Sequence, residues 1–536
     1  MKKIIWVLWC TVCMCSSLCA AEWQWSVRVN GVVSSETQKK PLAFLWIPPG
    51  CEQVRAVVVG QHNMTEETIL EHPEFRRVLS GSDIAEVWIT PGIDQNLGAT
   101  EGTQEVFERL MRDLAEVSGY SELQFAPVVP IGHSAMATYP WNFAAWNPER
   151  TLAILSVHGD APRTNLTGYG RPNMDWGNRN IDGVPGLMAE GEFEWWEDRV
   201  DPALTFRMQY PESAVSFLCD AGHGHFDVSD DLVHYLALFV RKAAQYRLPK
   251  EMPSDRPPRL IPVDPHKGWL AERWRGDSPR VKAAPYDEYK GNRKDAFWYF
   301  DCEMVRETEK RYASTRNKKE QYLGIVQNGV LLSFDSNTHA RIIDSYHPQE
   351  DGVTFHLKAV FTDSLRSSPS TSHAKSTPHV RRICGPVEVL NDTTFRLCYY
   401  RMGLDNPRRS NDIWLVASAE GDALYKSAVQ QLNIRVPFPL KEGHPQQIKF
   451  APLTDVKEGT RVIRLSASSD SGLEVYYYVK EGPAEIEGNQ LKFTRIPPRT
   501  RYPVKVTVVA WQYGRSAFPR VQTAEPVERS FYIHKK

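Results

Sequence analysis

The 536-residue chain has almost no net charge: 64 Lys and Arg stand against 65 Asp and Glu, a formal −1 at pH 7. Binding to nucleic acid or to an acidic membrane surface normally shows as a basic excess, so neither is an expected partner. The sequence has no P-loop, no G-x-G-x-x-G after a strand, no H-E-x-x-H and, beyond the first 21 residues, no CxxC pair. The local signatures of nucleotide, dinucleotide, zinc-protease and redox chemistry are therefore missing, and no cofactor or metal is expected. His223-Gly224-His225 with Asp227 is too slight a pattern to count as a metal site. Cysteine is scarce beyond the N-terminus. Four of the nine lie in the first 19 residues, and Cys51, Cys219, Cys302, Cys384 and Cys398 are odd in number and scattered, so no disulfide framework appears. A Cys384–Cys398 pair and two buried thiols both stay open. There is no clear internal repeat, and no apolar run is long enough to span a bilayer.

What is present first is a targeting pattern. Lys2-Lys3 precede the apolar run from Ile4 to Cys15, and Ser16 to Ala21 supply small residues for cleavage, so 1–21 reads as a signal peptide and the protein as exported to a periplasm, a cell surface or the medium. Cys19 raises the alternative of a lipid anchor, against which Ser16 stands where such a motif usually has Leu. With 42% hydrophobic and 11% aromatic residues, the remainder is ordered and globular, and its length implies several domains. Sixteen Trp and twenty-one Tyr would suit sugar stacking, but core packing accounts for most of them.

From 22 to 248 apolar strand-like runs alternate with helical periods. The runs are Leu42–Ile47, Ala56–Val59, Ala85–Thr90, Val128–Ile131, Leu152–Val157, Val184–Ala189 and Ala214–Cys219. Val106, Leu110, Leu114 and Val117 recur at helical spacing, and a closing helix follows over 232–244. Alternation of this kind predicts a mostly parallel sheet with helices on both faces. Residues 161–182, rich in Gly, Asn and Pro and carrying Trp176, read as a long binding loop. Prolines crowd 249–284, which reads as a semi-rigid linker. The fold class expected is multidomain: this α/β domain, then a β-rich domain over 285–437, then a β-sandwich over 438–536.

The chemistry centres on Val128-Val129-Pro130-Ile131-Gly132-His133-Ser134-Ala135-Met136. A buried strand ends at a Gly, and a sharp turn into a helix holds a Ser hydroxyl clear of the backbone. A hydroxyl needs a base within reach and an acid to orient that base. Here Ser134, a Glu cluster after 184–189 and a His pair after 214–219 each follow a strand, in the order Ser, acid, His. This stretch resembles the nucleophile elbow, G-x-S-x-G, of the α/β-hydrolase superfamily, over roughly residues 40 to 245, with Met136 where that family has a small residue. The family's acid pattern is similar to Gly191-Glu192-Phe193-Glu194, which places Glu194; Glu190 and Glu192 compete, and Asp160 after the preceding strand is a further candidate. Ala221-Gly222-His223-Gly224 resembles the family's G-H-G stretch, and Gly224-His225-Phe226 is a similar match; strand spacing favours His223. The resemblance also implies an oxyanion hole from the Ala135 N–H and the loop at Gln61, His62 and Asn63, with His133, Gln61, Asp160 and Trp176 near the substrate.

The resulting expectation is a secreted serine hydrolase, a carboxylic-ester hydrolase acting on acylated or methyl-esterified polysaccharide. A peptidase or amidase of the same fold and a catalytically silent glycan-binding surface protein are the alternatives. The last hundred residues resemble bacterial immunoglobulin-like modules, through Gly482-Pro483-Ala484 and the strand ending Ala510-Trp511-Gln512-Tyr513-Gly514.

Overall fold

A computed structural model describes residues 22–94, 102–166, 173–194, 196–401, 404, 406, 409 and 411–536. The expected signal peptide and Cys19 lie outside them. Eight strands form the first sheet: β1 (Trp25–Arg28), β2 (Leu42–Trp46), β3 (Ala56–Gln61), β4 (Ile84–Thr90), β5 (Val128–His133), β6 (Ile154–Val157), β7 (Pro185–Gly191) and β8 (Ala214–Asp220). Their spatial order is β1-β2-β4-β3-β5-β6-β7-β8. The strands from β3 to β8 run parallel, and β1 and β2 close one edge antiparallel. Each parallel strand is buried along its whole length because helices cover both faces, which is why these segments read as continuous apolar runs.

Side chains alternate between the two faces as the pleat requires. Val57 and Val59 pack with Phe107, Leu110, Met111 and Leu114 of helix α3 (Thr103–Ser118), after the short helices α1 (Glu66–Leu70) and α2 (Pro73–Ser80). Val58 and Ile131 face the opposite core, which takes apolar residues from α2, from α4 (Thr138–Trp146), from α5 (Trp196–Gln209) and from α6 (Asp230–Arg247). This is the α/β-hydrolase arrangement, and it sets the C-terminal ends of β3, β5, β6, β7 and β8 along one rim.

The stretch 249–284 differs from the linker expected. Leu260, Leu270 and Trp274 are buried in the first core, together with Tyr286, Phe297, Trp298, Tyr299 and, from helix α7 (Cys302–Thr315), Met304 and Tyr312. The Ser216 hydroxyl donates to Trp298 O at 2.5 Å and the Tyr299 hydroxyl to Phe217 O at 2.7 Å, so this segment is stitched onto β8. Proline crowding excludes helix but does not exclude packing; Pro258 and Pro265 are themselves buried. The first core thus runs on into α7.

A second core gathers strands between residues 322 and 436 and also takes Tyr478, Val509, Trp511 and Tyr513 from the C-terminal part. The C-terminal part is β-rich. A four-stranded sheet of Val456–Lys457, Val527–His534, Val504–Trp511 and Tyr476–Glu481 shares a core with a three-stranded sheet of Val462–Arg464, Gln490–Phe493 and Ala484–Glu487. Cys51, Cys219, Cys302 and Cys384 are free thiols, so the Cys384–Cys398 pair is not formed. Among the described residues no helix is long and apolar enough to cross a membrane.

Candidate active site

Ser134 stands just past β5 with φ +52°, a left-handed conformation that a non-glycine residue adopts only where the surroundings enforce it. The enforcement is steric. A Cβ on Gly132 would lie 2.0 Å from Met136 O, so the chain folds back there only because Gly132 has none. Met136 ends the single turn of 3-10 helix Ser134–Met136, and its Cε sits where a Cβ on Gly92 would come within 2.5 Å. The residue that must be small is Ala137, because a Cβ on Gly159 would lie 1.9 Å from its own Cβ. The departure at Met136 is accommodated by moving the small position one residue along.

The Ser134 Oγ lies 2.8 Å from His225 Nε2, and His225 Nδ1 lies 2.6 Å from Glu194 Oε2. Three strand ends, of β5, β8 and β7, meet in this one relay. Glu194 also accepts from the Gly191 N–H and from Arg199 Nη1, each at 2.7 Å, and pairs through Oε1 with His158 Nδ1. Burial alone would raise the Glu194 pKa, but the imidazoles of His225 and His158 hold it well below the usual carboxylate range. The carboxylate is therefore ionised at neutral pH and orients the His225 proton onto Nδ1, which leaves Nε2 free to accept from Ser134.

The structure differs from the sequence preference for His223. Its ring is paired with the buried carboxylate of Asp227 four residues on, and its backbone N–H donates to Asp220 O at 3.2 Å. Burial would lower the His223 pKa, but Asp220 and Asp227 outweigh it and raise it to about 9. Glu192 points away from the relay, pairing with Lys426 at 2.5 Å and accepting from the Gly222 N–H at 2.8 Å. Glu190 and Asp160 face Arg199, at 2.7 and 3.5 Å. His158, Glu190 and Glu194 are grouped closely enough to suit a metal ion, but the Arg199 guanidinium already bonds both carboxylates and supplies the cation.

The residues expected near the substrate are committed to the protein instead. The Gln61 side chain accepts from the Ile93 and Asp94 N–H groups and donates to Asp94 O, which pins the loop after β4. His133 Nε2 donates to His225 O at 2.9 Å, holding the base's own backbone; burial keeps its pKa well below the ordinary imidazole value, so the ring is neutral. Trp176 is buried and donates to Asn142 Oδ1 at 2.8 Å. Of the oxyanion donors, the His62 N–H donates to Ile89 O at 2.8 Å and the Asn63 N–H to Glu66 Oε2 at 3.0 Å, so both are occupied. Ala135 follows the nucleophile directly, in the single 3-10 turn Ser134–Met136, the position the resemblance gives to an oxyanion donor.

Three contributors escaped the sequence reading. Glu66 is fully buried and accepts from the His133, Asn63 and Met64 N–H groups at 2.8, 3.0 and 2.9 Å, tying the loop after β3 to the elbow; burial raises its pKa to about 7. In the sequence it reads only as an acidic helix start. His158 follows the strand Leu152–Val157, a strand-end position that could have singled it out. Arg199, inside a helix, carries no such signal.

No family model matches this chain, and no curated protein matches it. Among solved structures, it is similar to a poly(3-hydroxybutyrate) depolymerase from Bordetella parapertussis, with 13% identity over 43% of this chain and 92% of that one, at a TM-score of 0.26. It is also similar to an S-formylglutathione hydrolase from Agrobacterium tumefaciens, with 14% identity over 41% and 94% and a TM-score of 0.29. A third likeness is to a Pyrobaculum calidifontis esterase, with 13% identity over 41% and 85% and a TM-score of 0.30.

Proposed function

We propose that the protein is a serine hydrolase that cleaves carboxylic esters. The observation that carries this is the unbroken Ser134–His225–Glu194 relay, set on three strand ends with the serine held in a strained turn. His225 Nε2 takes the Ser134 proton as Oγ attacks the ester carbonyl, and the Ala135 N–H supports the developing oxyanion. The tetrahedral intermediate collapses as His225 returns the proton to the leaving alcohol. Water then repeats the sequence on the acyl-serine, with His225 again as base. Glu194 stays ionised throughout and stabilises the imidazolium.

The finer reading is an exported enzyme acting on acylated or methyl-esterified polysaccharide. Export is supported by the Lys2-Lys3 and Ile4–Cys15 pattern, and a polysaccharide substrate by the β-rich domains appended after the hydrolase domain, the last resembling an immunoglobulin-like module. The test is labelling of the purified mature protein with a fluorophosphonate, beside Ser134→Ala, with both assayed on p-nitrophenyl acetate. Labelling and turnover should vanish together in the variant. A folded wild-type protein that takes no label overturns the proposal.

A further inference from the structure

The catalytic loops are contacted by the β-rich part of the chain that carries the second core. At the loop after β3, Arg409 Nη1 donates to Asn63 O at 2.8 Å, the Thr68 hydroxyl donates to Ile383 O at 2.6 Å, and Met64 packs against Phe226, Ile383 and Val416. At the loop after β7, Lys426 pairs with Glu192. At the loop after β8, Arg381 pairs with Asp227 at 3.4 Å, and a Cβ on Gly222 would collide with Ser427. The loops that carry the base, the acid and the segment beside the elbow are thus each held by residues between 381 and 427.

One side chain of this domain comes within reach of the chemistry. The His339 ring lies edge-on to Phe226 at 4.7 Å between centroids, and 5.9 Å from the ring of His225. Phe226 in turn packs on Trp414 at 4.9 Å, which fixes the neighbourhood, and the Gln431 amide donates to His339 O at 3.3 Å. The His339 ring is partly enclosed by Phe226 and His225, while the residue as a whole stays accessible to solvent. Its direction relative to the reaction follows from proton bookkeeping: the leaving oxygen must reach His225 Nε2 to take its proton, so the alcohol half of the ester lies against the His225 ring.

We infer that His339 forms the alcohol-side subsite and hydrogen-bonds a hydroxyl of a polyhydroxylated leaving group, the chemistry of a sugar residue. A neutral imidazole offers one donor and one acceptor, as a hydroxyl does. Burial, His225 and Arg341 all lower the His339 pKa, which keeps it in that neutral form at pH 7. The inference rests on the ester-hydrolase reading and extends it by naming the class of alcohol.

The experiment compares two acetate esters that differ only in the alcohol, p-nitrophenyl acetate and an acetylated methyl xyloside, with full-length wild type, His339→Ala and His339→Gln. In His339→Ala the kcat/KM for the xyloside ester should fall at least tenfold further than that for p-nitrophenyl acetate, with most of the loss in KM. His339→Gln, which keeps a donor and an acceptor, should recover part of it. Equal losses on the two esters would mean that His339 acts through His225 and would overturn the inference, as would no loss on the xyloside. A wild type that cleaves only the p-nitrophenyl ester overturns the sugar assignment while leaving the hydrolase reading intact. A wild type that cleaves neither overturns both.

Discussion

Replacing Glu194 with Gln removes one charge and one acceptor from a carboxylate that serves four donors. Oε1 takes the Gly191 N–H and His158; Oε2 takes His225 and Arg199. An amide cannot satisfy both pairs, so its NH2 must face one of them. Facing Gly191 leaves two donors opposed with no means of escape, at a cost of about 1–3 kcal/mol for a buried unsatisfied group. Facing the other pair is easier, because Arg199 still has Glu190 and Asp160. His225 must then present a bare Nδ1 and carry its proton on Nε2, pointing at a serine oxygen 2.8 Å away. In that tautomer it cannot accept the Ser134 proton. The expected loss in kcat is about 10,000-fold, or ~5 kcal/mol at about 1.36 kcal/mol per tenfold, with KM changed far less. The assay is turnover of p-nitrophenyl acetate, with circular dichroism to establish that the variant is folded. A folded Glu194→Gln enzyme within about tenfold of wild type would refute the role given to Glu194.

His225→Ala should lose about 1,000-fold or more in kcat, whereas His223→Ala should lose far less, because only His225 touches Ser134. His223 also predicts a pH effect. Its pKa of about 9 lies above that of a free imidazole, about 6.5, so its contribution to stability is full below pH 6.5 and is lost as pH rises through 9. The fall in Tm from pH 6.5 to 9 should accordingly be shallower in His223→Ala than in wild type; an equally steep fall would refute the His223–Asp227 ion pair. A chain ending at residue 248 should be insoluble, since it uncovers β8 and discards Trp298, Tyr299 and Tyr312, buried aromatics worth about 3–5 kcal/mol each against a whole-domain stability of about 5–15 kcal/mol. Recovery of that fragment as a soluble, folded monomer would show that the first core closes earlier.

The periodicities in the sequence specify the strands of the first sheet, because a parallel strand buried on both faces has to be apolar throughout, and the Gly132–Ser134 spacing marks the elbow because only glycine permits the fold-back. The order of serine, acid and histidine after successive strands is likewise legible, since strand ends share one rim. Local pattern could not separate His225 from His223, two residues apart in the same glycine-rich loop. The choice was made by Asp227, which captures one ring, and by Ser134 and Glu194, which lie 91 and 31 residues from the other. The same holds for Glu194 over Glu192, settled by Arg199, His158 and Lys426. Proline crowding misread 249–284 because it reports what the backbone excludes, whereas packing depends on what the side chains meet. His339 lay outside sequence reasoning altogether. Its position beside His225 exists only because a second core is laid across the first, and contacts between separately folded layers leave no period in the chain.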